Sequence, residues 1–272
     1  MSELANPSIT DAEFARFQAL IYKLAGISLS DAKKILLVGR LSKRLKAHGI
    51  GSFSEYYKLV TGTGGAAESQ AMVDLLTTNE TYFFREEKHF EYLSQQVLAR
   101  HPPGRGFDVW SAACSTGEEV YTLAMVLAER LGLNANWSIT GSDISTQVLE
   151  KAERAQYPME RARATPVEYL RKYCLKGVRE DAGSFLVGQA LRRHVRFMQV
   201  NLNTTLPELG NFDMIFLRNV MIYFDPETKR SVAGRLIGKL KPGGHFIVGH
   251  AESLHGITDT LELVRPTIYR KP

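Results

Sequence analysis

The chain of 272 residues contains only two cysteines and two tryptophans, and it has no long apolar run. Two thiols, Cys114 and Cys174, cannot build a disulfide framework and do not have metal-ligand spacing. The most apolar stretch, Met214–Phe224, is too short to cross a bilayer and carries Arg218 in its middle. At the N-terminus no basic segment leads into an apolar one, so no secretory signal is readable. The expectation is a cytoplasmic protein with reduced thiols. Internal repeats and low-complexity tracts are lacking too. Hydrophobic content of 44% and charged content of 23% are ordinary for a globular chain, which is long enough for one large domain or two smaller ones.

The net charge of +5 is unevenly placed. Residues 1–60 hold nine basic against five acidic side chains, so +4 of the total lies there. Six of the basic residues fall between Asp31 and His48. On a helix, Lys33, Arg40 and Arg44 share a face, while Val38, Leu41 and Leu45 turn toward a core. That face reads either as a solvated surface or as a docking surface for an acidic partner.

The pattern divides near residue 85. Before it, only helical signals occur: Thr10–Leu24, Asp31–His48, Ser54–Leu59 and Ala67–Thr77, with Thr10 and Glu13 spaced as a capping box. Gly26, Gly49 and Gly51 punctuate, and Thr61–Gly65 is a flexible break. From Phe107 onward strands and helices alternate: strand Phe107–Ser111, helix 118–131, strand Trp137–Gly141, helix 145–155, strands Val195–Val200 and Phe212–Leu217, helix 226–240 and strand His245–Gly249. Such alternation predicts a mostly parallel sheet covered on both faces. Lys241–Gly244 is expected to stop the last helix, and Leu261–Tyr269 to add an edge strand. Between Tyr157 and Arg193 the rhythm breaks, and a small β-hairpin-like insertion is expected there.

The most informative stretch is Phe107–Asp143. A strand, a small-residue turn (Ala112-Ala-Cys-Ser-Thr-Gly117), a helix and a second strand ending in Asp143 form half of a nucleotide-binding unit. Asp143 lies where a ribose diol would sit. The turn lacks the G-x-G-x-x-G fingerprint, however, and Glu118 and Glu119 follow it at once. Two carboxylates there would repel a pyrophosphate. They suit an adenosine ligand without phosphates that carries positive charge, and S-adenosylmethionine meets that description. No Asn/Asp-Pro-Pro-Tyr/Phe motif of base-flipping enzymes is present, which argues against nucleic acid as substrate.

Two further motifs complete the pattern: Thr78-Asn-Glu-Thr-Tyr-Phe-Phe-Arg85 at the junction, and Arg218-Asn-Val-Met-Ile-Tyr-Phe-Asp225 at the end of a central strand. With the turn and Asp143, they resemble the CheR family of chemotaxis receptor methyltransferases over essentially the whole chain. The resemblance implies an α/β fold: a Rossmann-like S-adenosylmethionine-dependent methyltransferase domain over 91–272, with a small β-subdomain insertion at 157–193. An all-α N-terminal domain over 1–77 precedes it, and a linker over 78–90 joins them.

Carried over by residue, the resemblance implies that Asn79, Thr81 and Arg85 reach the cofactor or reacting centre. Glu119 would meet the methionine end, Asp143 the ribose, and Asn201 with Leu202 the adenine. Arg218 and Asn219 would close the pocket floor, with Tyr223 near the transferred methyl, so Arg85 and Tyr223 are the candidate catalytic pair. The implied reaction gives glutamate methyl esters on the cytoplasmic domains of chemoreceptors, with S-adenosylhomocysteine as product and no metal. A glutamate carboxylate, ionised at neutral pH, needs no general base. Lys33, Arg40 and Arg44 are the candidate receptor-docking residues, and the β-insertion is a candidate site for a receptor C-terminal tail. Neither membrane insertion nor nucleic acid is expected. The alternative is a methyltransferase of a non-chemotaxis signalling protein or of a small carboxylate.

Overall fold

A computed structural model describes residues 8–272, which fall into two units: residues to Thr78 together with Tyr223–Thr228, and Asn79–Ile222 together with Lys229–Pro272. Among the described residues no helix is long and apolar enough to cross a membrane.

The first unit is helical. Helix α1 (Asp11–Ala25) starts with the expected capping box and ends at Gly26, whose φ of 71° is left-handed. Thr10 Oγ1 accepts from Glu13 N at 3.2 Å while Glu13 Oε2 accepts from Thr10 N at 2.9 Å. The predicted second helix opens as a 3-10 turn (Asp31–Lys33) before α2 (Lys34–Ala47). Helices α3 (Phe53–Thr61) and α4 (Ala66–Leu76) complete the set. Buried side chains recur every three or four residues: Phe14, Phe17 and Ile21 on α1; Leu37, Leu41 and Leu45 on α2; Phe53, Tyr56 and Val60 on α3. Val38, expected in that core, is only half-buried, and Leu37 takes its place. Phe17 meets the Phe53 ring edge-on at 6.1 Å. Each such fully buried aliphatic or aromatic side chain stabilises the unit by about 1.5–3 kcal/mol.

The second unit begins with a helical stretch to which the sequence reading gave no element. It consists of α5 (Lys88–Tyr92), a π turn (Leu93–Val97) and a 3-10 turn (Leu98–Arg100). The predicted alternation follows: β1 (Phe107–Ser111), α6 (Glu118–Leu131), β2 (Trp137–Asp143) and α7 (Thr146–Arg154). Then come the short helix α9 (Gln189–Arg192), β6 (Val195–Gln199), β7 (Phe212–Leu217), α10 (Pro226–Ile237), β8 (Leu240–Val248), β9 (Glu262–Arg265) and β10 (Ile268–Arg270). The main sheet runs β6-β2-β1-β7-β8-β10-β9, parallel through β8 and then closed by antiparallel β10 and β9. Strand order reverses around β1, so the crevice for a ligand lies beyond the carboxyl ends of β1 and β7.

Three details depart from the sequence reading. The insertion is not a hairpin: β3 (Gln156–Pro158) and β4 (Cys174–Lys176) both flank β5 (Ser184–Val187), and helix α8 (Val167–Tyr173) lies between β3 and β4 in the chain. Phe185 and Val187 of this small sheet are buried in one core with Phe83, Tyr157 and the α6 side chains, so the insertion is anchored rather than hung from a hinge. The last helix stops at Ile237, with Gly238 N donating to Gly234 O, and not at Lys241–Gly244. Those four residues belong to β8, where pairing jumps from Phe212↔Leu240 to Met214↔His245. They loop out as a wide bulge, which accommodates a proline that has no N–H for the ladder. Finally, the expected edge strand at Leu261–Tyr269 is two strands turning at Thr267, so the chain end doubles back.

Candidate functional site

The crevice is built from the turn between β1 and α6. Ala112 N donates to Phe216 O at 2.9 Å and Cys114 N to Ser142 O at 2.8 Å, fastening the turn to the strands on either side. Ser115 adopts a left-handed φ of 48°, which aims its N–H at Asp143 Oδ2, 2.9 Å away. The other oxygen, Oδ1, accepts from Ser145 N at 3.0 Å. These two bonds fix the Asp143 carboxylate at the end of β2 and tie down the entry to α7. Gly117, at φ 91°, is required at the start of α6, because a Cβ there would come within 2.8 Å of Ala152 Cβ.

The two glutamates that open α6 diverge. Glu118 is buried and faces a cavity lined by Lys151, Arg154, Tyr157 and Arg161; its Oε2 accepts from Thr116 Oγ1 at 2.6 Å. Burial raises its carboxyl above the usual range. Glu119 points to the crevice. Its Oε1 accepts from Ser111 Oγ at 2.7 Å and its Oε2 from Arg218 Nη1 at 2.9 Å. Burial pushes the Glu119 carboxyl up, against the pull of the Arg218 cation and the Ser111 hydroxyl.

Arg218, at the end of β7, is buried, with only 2% of its side chain exposed. Besides Glu119 it donates to Glu86 Oε2 from Nε at 3.2 Å and from Nη2 at 3.0 Å, and to the Arg85 carbonyl. Its guanidinium lies 5.4 Å from the centre of the Phe90 ring. Two carboxylates on one guanidinium leave an excess of one negative charge in a low-dielectric setting, and such an arrangement favours a cationic ligand. The neighbouring Asn219 takes a left-handed φ of 59°; its N donates to Glu252 Oε2 at 2.8 Å and its Nδ2 to Glu86 Oε1 at 3.1 Å. Gly249 makes room for this, since a Cβ there would lie 2.5 Å from Asn219 Nδ2.

The remaining candidates of this unit lie in the segment before α5 and in the turn after β6. Asn79 accepts from Ser115 Oγ at 2.8 Å through its carbonyl, and the buried Thr81 accepts from Arg161 through its own. Arg85 Nη1 donates to Glu80 O at 2.7 Å. Phe83 and Phe84 of the same motif are core residues: Phe83 meets Tyr157 edge-on at 5.0 Å, and Phe84 stacks on Tyr169 at 5.5 Å. After β6, Asn201 Oδ1 accepts from Asn203 N at 2.9 Å, and the carbonyl of the buried Leu202 accepts from Arg235. Tyr223 belongs to the helical unit, where its carbonyl accepts from Ser28 N at 2.8 Å.

In that unit Lys33, Arg40 and Arg44 do not form one outward cationic face. Arg40 Nη1 donates to the Leu76 and Thr77 carbonyls at 2.9 and 3.1 Å, capping the end of α4. Arg44 grips Glu68, with Nε donating to Oε1 at 2.8 Å and Nη2 to Oε2. Lys33 is exposed, as are Lys43 and Lys46.

The sequence reading passed over Glu86, His89 and Glu252. Glu86 directly follows the junction motif, and that adjacency was the available signal; Glu252, a few residues after the end of β8, is next to no candidate in the sequence and had none. His89 is buried and burial holds it neutral, pushed down to about 3. Cys114, in the turn, is buried with its thiol pushed well up by burial, so it offers no thiolate nucleophile.

A doubly wound sheet, a strand-end carboxylate oriented by two amides, and a crevice that favours a cation without a phosphate cradle place this unit among Rossmann-like S-adenosylmethionine-dependent methyltransferases. Residues 79–270 match the family described as "CheR methyltransferase, SAM binding domain", and residues 12–77 the one described as "CheR methyltransferase, all-alpha domain". The chain belongs to the CheR family. It is 42% identical over 266 residues to the chemotaxis protein methyltransferase of Klebsiella aerogenes, covering 96% of this chain and 90% of that one. The protein of the same name from Salmonella typhimurium is 40% identical, covering 96% and 91% of the two chains. That of Borreliella burgdorferi is 36% identical, covering 98% and 96%.

Proposed function

We propose that this protein transfers a methyl group from S-adenosylmethionine to glutamate side-chain carboxylates of chemoreceptors, working in the cytoplasm as part of chemotactic adaptation. The observation that carries the reading is the match, over nearly full length, to relatives named chemotaxis protein methyltransferase. The excess negative charge around Arg218 supports it, because the cofactor's ammonium needs such a partner. When bound, S-adenosylmethionine supplies an electrophilic sulfonium methyl: the carboxylate oxygen forms the new C–O bond, the C–S bond breaks, and its electron pair stays on sulfur.

The residues supply position rather than proton transfer. Asp143 would accept from the ribose hydroxyls, Glu119 would pair with the ammonium, and Asn201 with Leu202 would flank the adenine. Asn79 and Thr81 would line the cofactor, and Arg85 would orient the incoming carboxylate, with Tyr223 beside the methyl. Holding nucleophile and electrophile collinear in a dry site supplies most of the acceleration. Strand β4 pairs on one side only, and Leu175 within it and Val178 just after it are 63% and 69% exposed. That open edge is where a receptor C-terminal tail would add a strand.

The test is transfer of labelled methyl to membranes carrying chemoreceptors, followed by mild alkali. Base-labile label on a receptor is expected. Label on soluble acids or on other proteins alone would favour a different carboxylate substrate.

A further inference from the structure

Glu86 sits at the centre of the crevice's hydrogen bonds, yet its place in the chain carries no ligand motif of its own. It adopts a left-handed φ of 60°, a conformation a non-glycine residue holds only where its surroundings demand it. Its Oε2 accepts from Arg218 Nε and Nη2 at 3.2 and 3.0 Å; its Oε1 accepts from Asn219 Nδ2 at 3.1 Å and from His250 N at 3.2 Å. Four donors fill the four acceptor positions of a carboxylate.

His89 and His250 lie close enough to Glu86 for a metal, with His89 Nδ1 3.5 Å from Oε2. A carboxylate already filled by four donors and pressed against a guanidinium has no lone pair to give a cation, so the cluster is a hydrogen-bond hub and not a metal centre.

The charges explain what the hub is for. Glu86 and Glu119 share Arg218, and the three together carry one negative charge. If Glu86 were uncharged, Arg218 would neutralise Glu119, on which the Arg85 guanidinium also acts, and the attraction for a cation beside Glu119 would weaken. We propose that Glu86 is a positioning residue for methyl transfer: it holds half of the Arg218 guanidinium, together with Asn219, so that Glu119 keeps negative charge for the cofactor's ammonium. Glu86 does this without touching the cofactor. The inference rests on the assignment of Glu119 to the ammonium made above.

Calorimetry with two ligands on the full chain tests it. S-adenosylhomocysteine carries the ammonium; 5′-methylthioadenosine keeps the adenosine and thioether but has no amino acid. Glu86→Gln, which preserves shape and removes charge, is expected to weaken S-adenosylhomocysteine on the order of tenfold to a hundredfold, the range for a lost charge-assisted contact. Binding of 5′-methylthioadenosine should stay within about twofold of wild type, because it carries no ionised group to feel the local charge beside Glu119. Glu86→Asp, which keeps the charge, should recover part of the loss. Equal weakening of both ligands, as from a collapsed site, or no weakening of either, overturns the proposal. If the wild-type protein binds S-adenosylhomocysteine no better than 5′-methylthioadenosine, the ammonium site itself is refuted and this inference falls with it.

Discussion

Replacing Glu68 by glutamine should unsettle the helical unit more than any surface change. Glu68 is the hub of that unit: its side chain is 8% exposed and accepts from Arg44 twice, from Tyr56 Oη at 2.7 Å and from His48 Nε2 at 2.8 Å. Burial alone would raise its carboxyl, but the hydrogen bonds from Arg44, Tyr56 and His48 outweigh it and hold the group at about 2, against 4.5 for a free glutamate. A depression of that size contributes about 3 kcal/mol of folded-state stability at neutral pH. Breaking a buried pair by removing one partner costs about 3–5 kcal/mol, the same order. For a carboxyl lowered on folding, that stability is present above 4.5 and is lost as the pH falls toward 2. Native-state hydrogen exchange at the amides of α2 and α4 reads it directly. Glu68→Gln should lower their opening free energy by about 3 kcal/mol at pH 7, and the gap to wild type should close in acid. A difference under about 0.5 kcal/mol at neutral pH, the usual range of surface changes, would refute the reasoning, as would a gap that persists in acid.

Asp143→Ala removes the acceptor of two amides and the proposed ribose partner, so S-adenosylhomocysteine affinity should fall at least about tenfold by calorimetry; wild-type affinity would remove the ribose assignment. Arg85→Ala and Tyr223→Phe should keep cofactor affinity and slow methyl transfer on the order of tenfold or more, since they act on positioning. Equal loss of binding and turnover would assign them to the cofactor alone. Reversing the exposed Lys43 and Lys46 to glutamate should slow receptor methylation at low salt, with the difference shrinking as salt rises. Rates unchanged at low salt would rule out α2 as the docking element. Reversing Arg40 and Arg44 cannot serve for this, because those side chains hold α4 and Glu68 in place.

Much of the fold was written in local patterns. The capping box at Thr10, the strand–turn–helix of Phe107–Leu131 and the strand-end Asp143 follow from nearest-neighbour chemistry, so residues a few positions apart suffice to specify them. The wide bulge at Lys241–Gly244 was misread because a Pro-Gly-Gly run signals a stop locally, and only pairing with β7 and the chain end makes it part of a strand. The three-stranded insertion was unreadable for the same reason: β3 and β4 meet β5 across intervals that no periodicity spans. At the candidate site, the sequence by itself supplied residue types and their spacing along the chain. Which charges share a partner was left to the tertiary structure. Arg218 meets Glu86 across 132 positions and Glu119 across 99, and Arg44 meets Glu68 across 24. A charged side chain at a helix or strand end reads alike whether it faces water, a ligand or a buried counter-ion. Burial decides among these, because it sets the dielectric around the charge and the cost of leaving it alone.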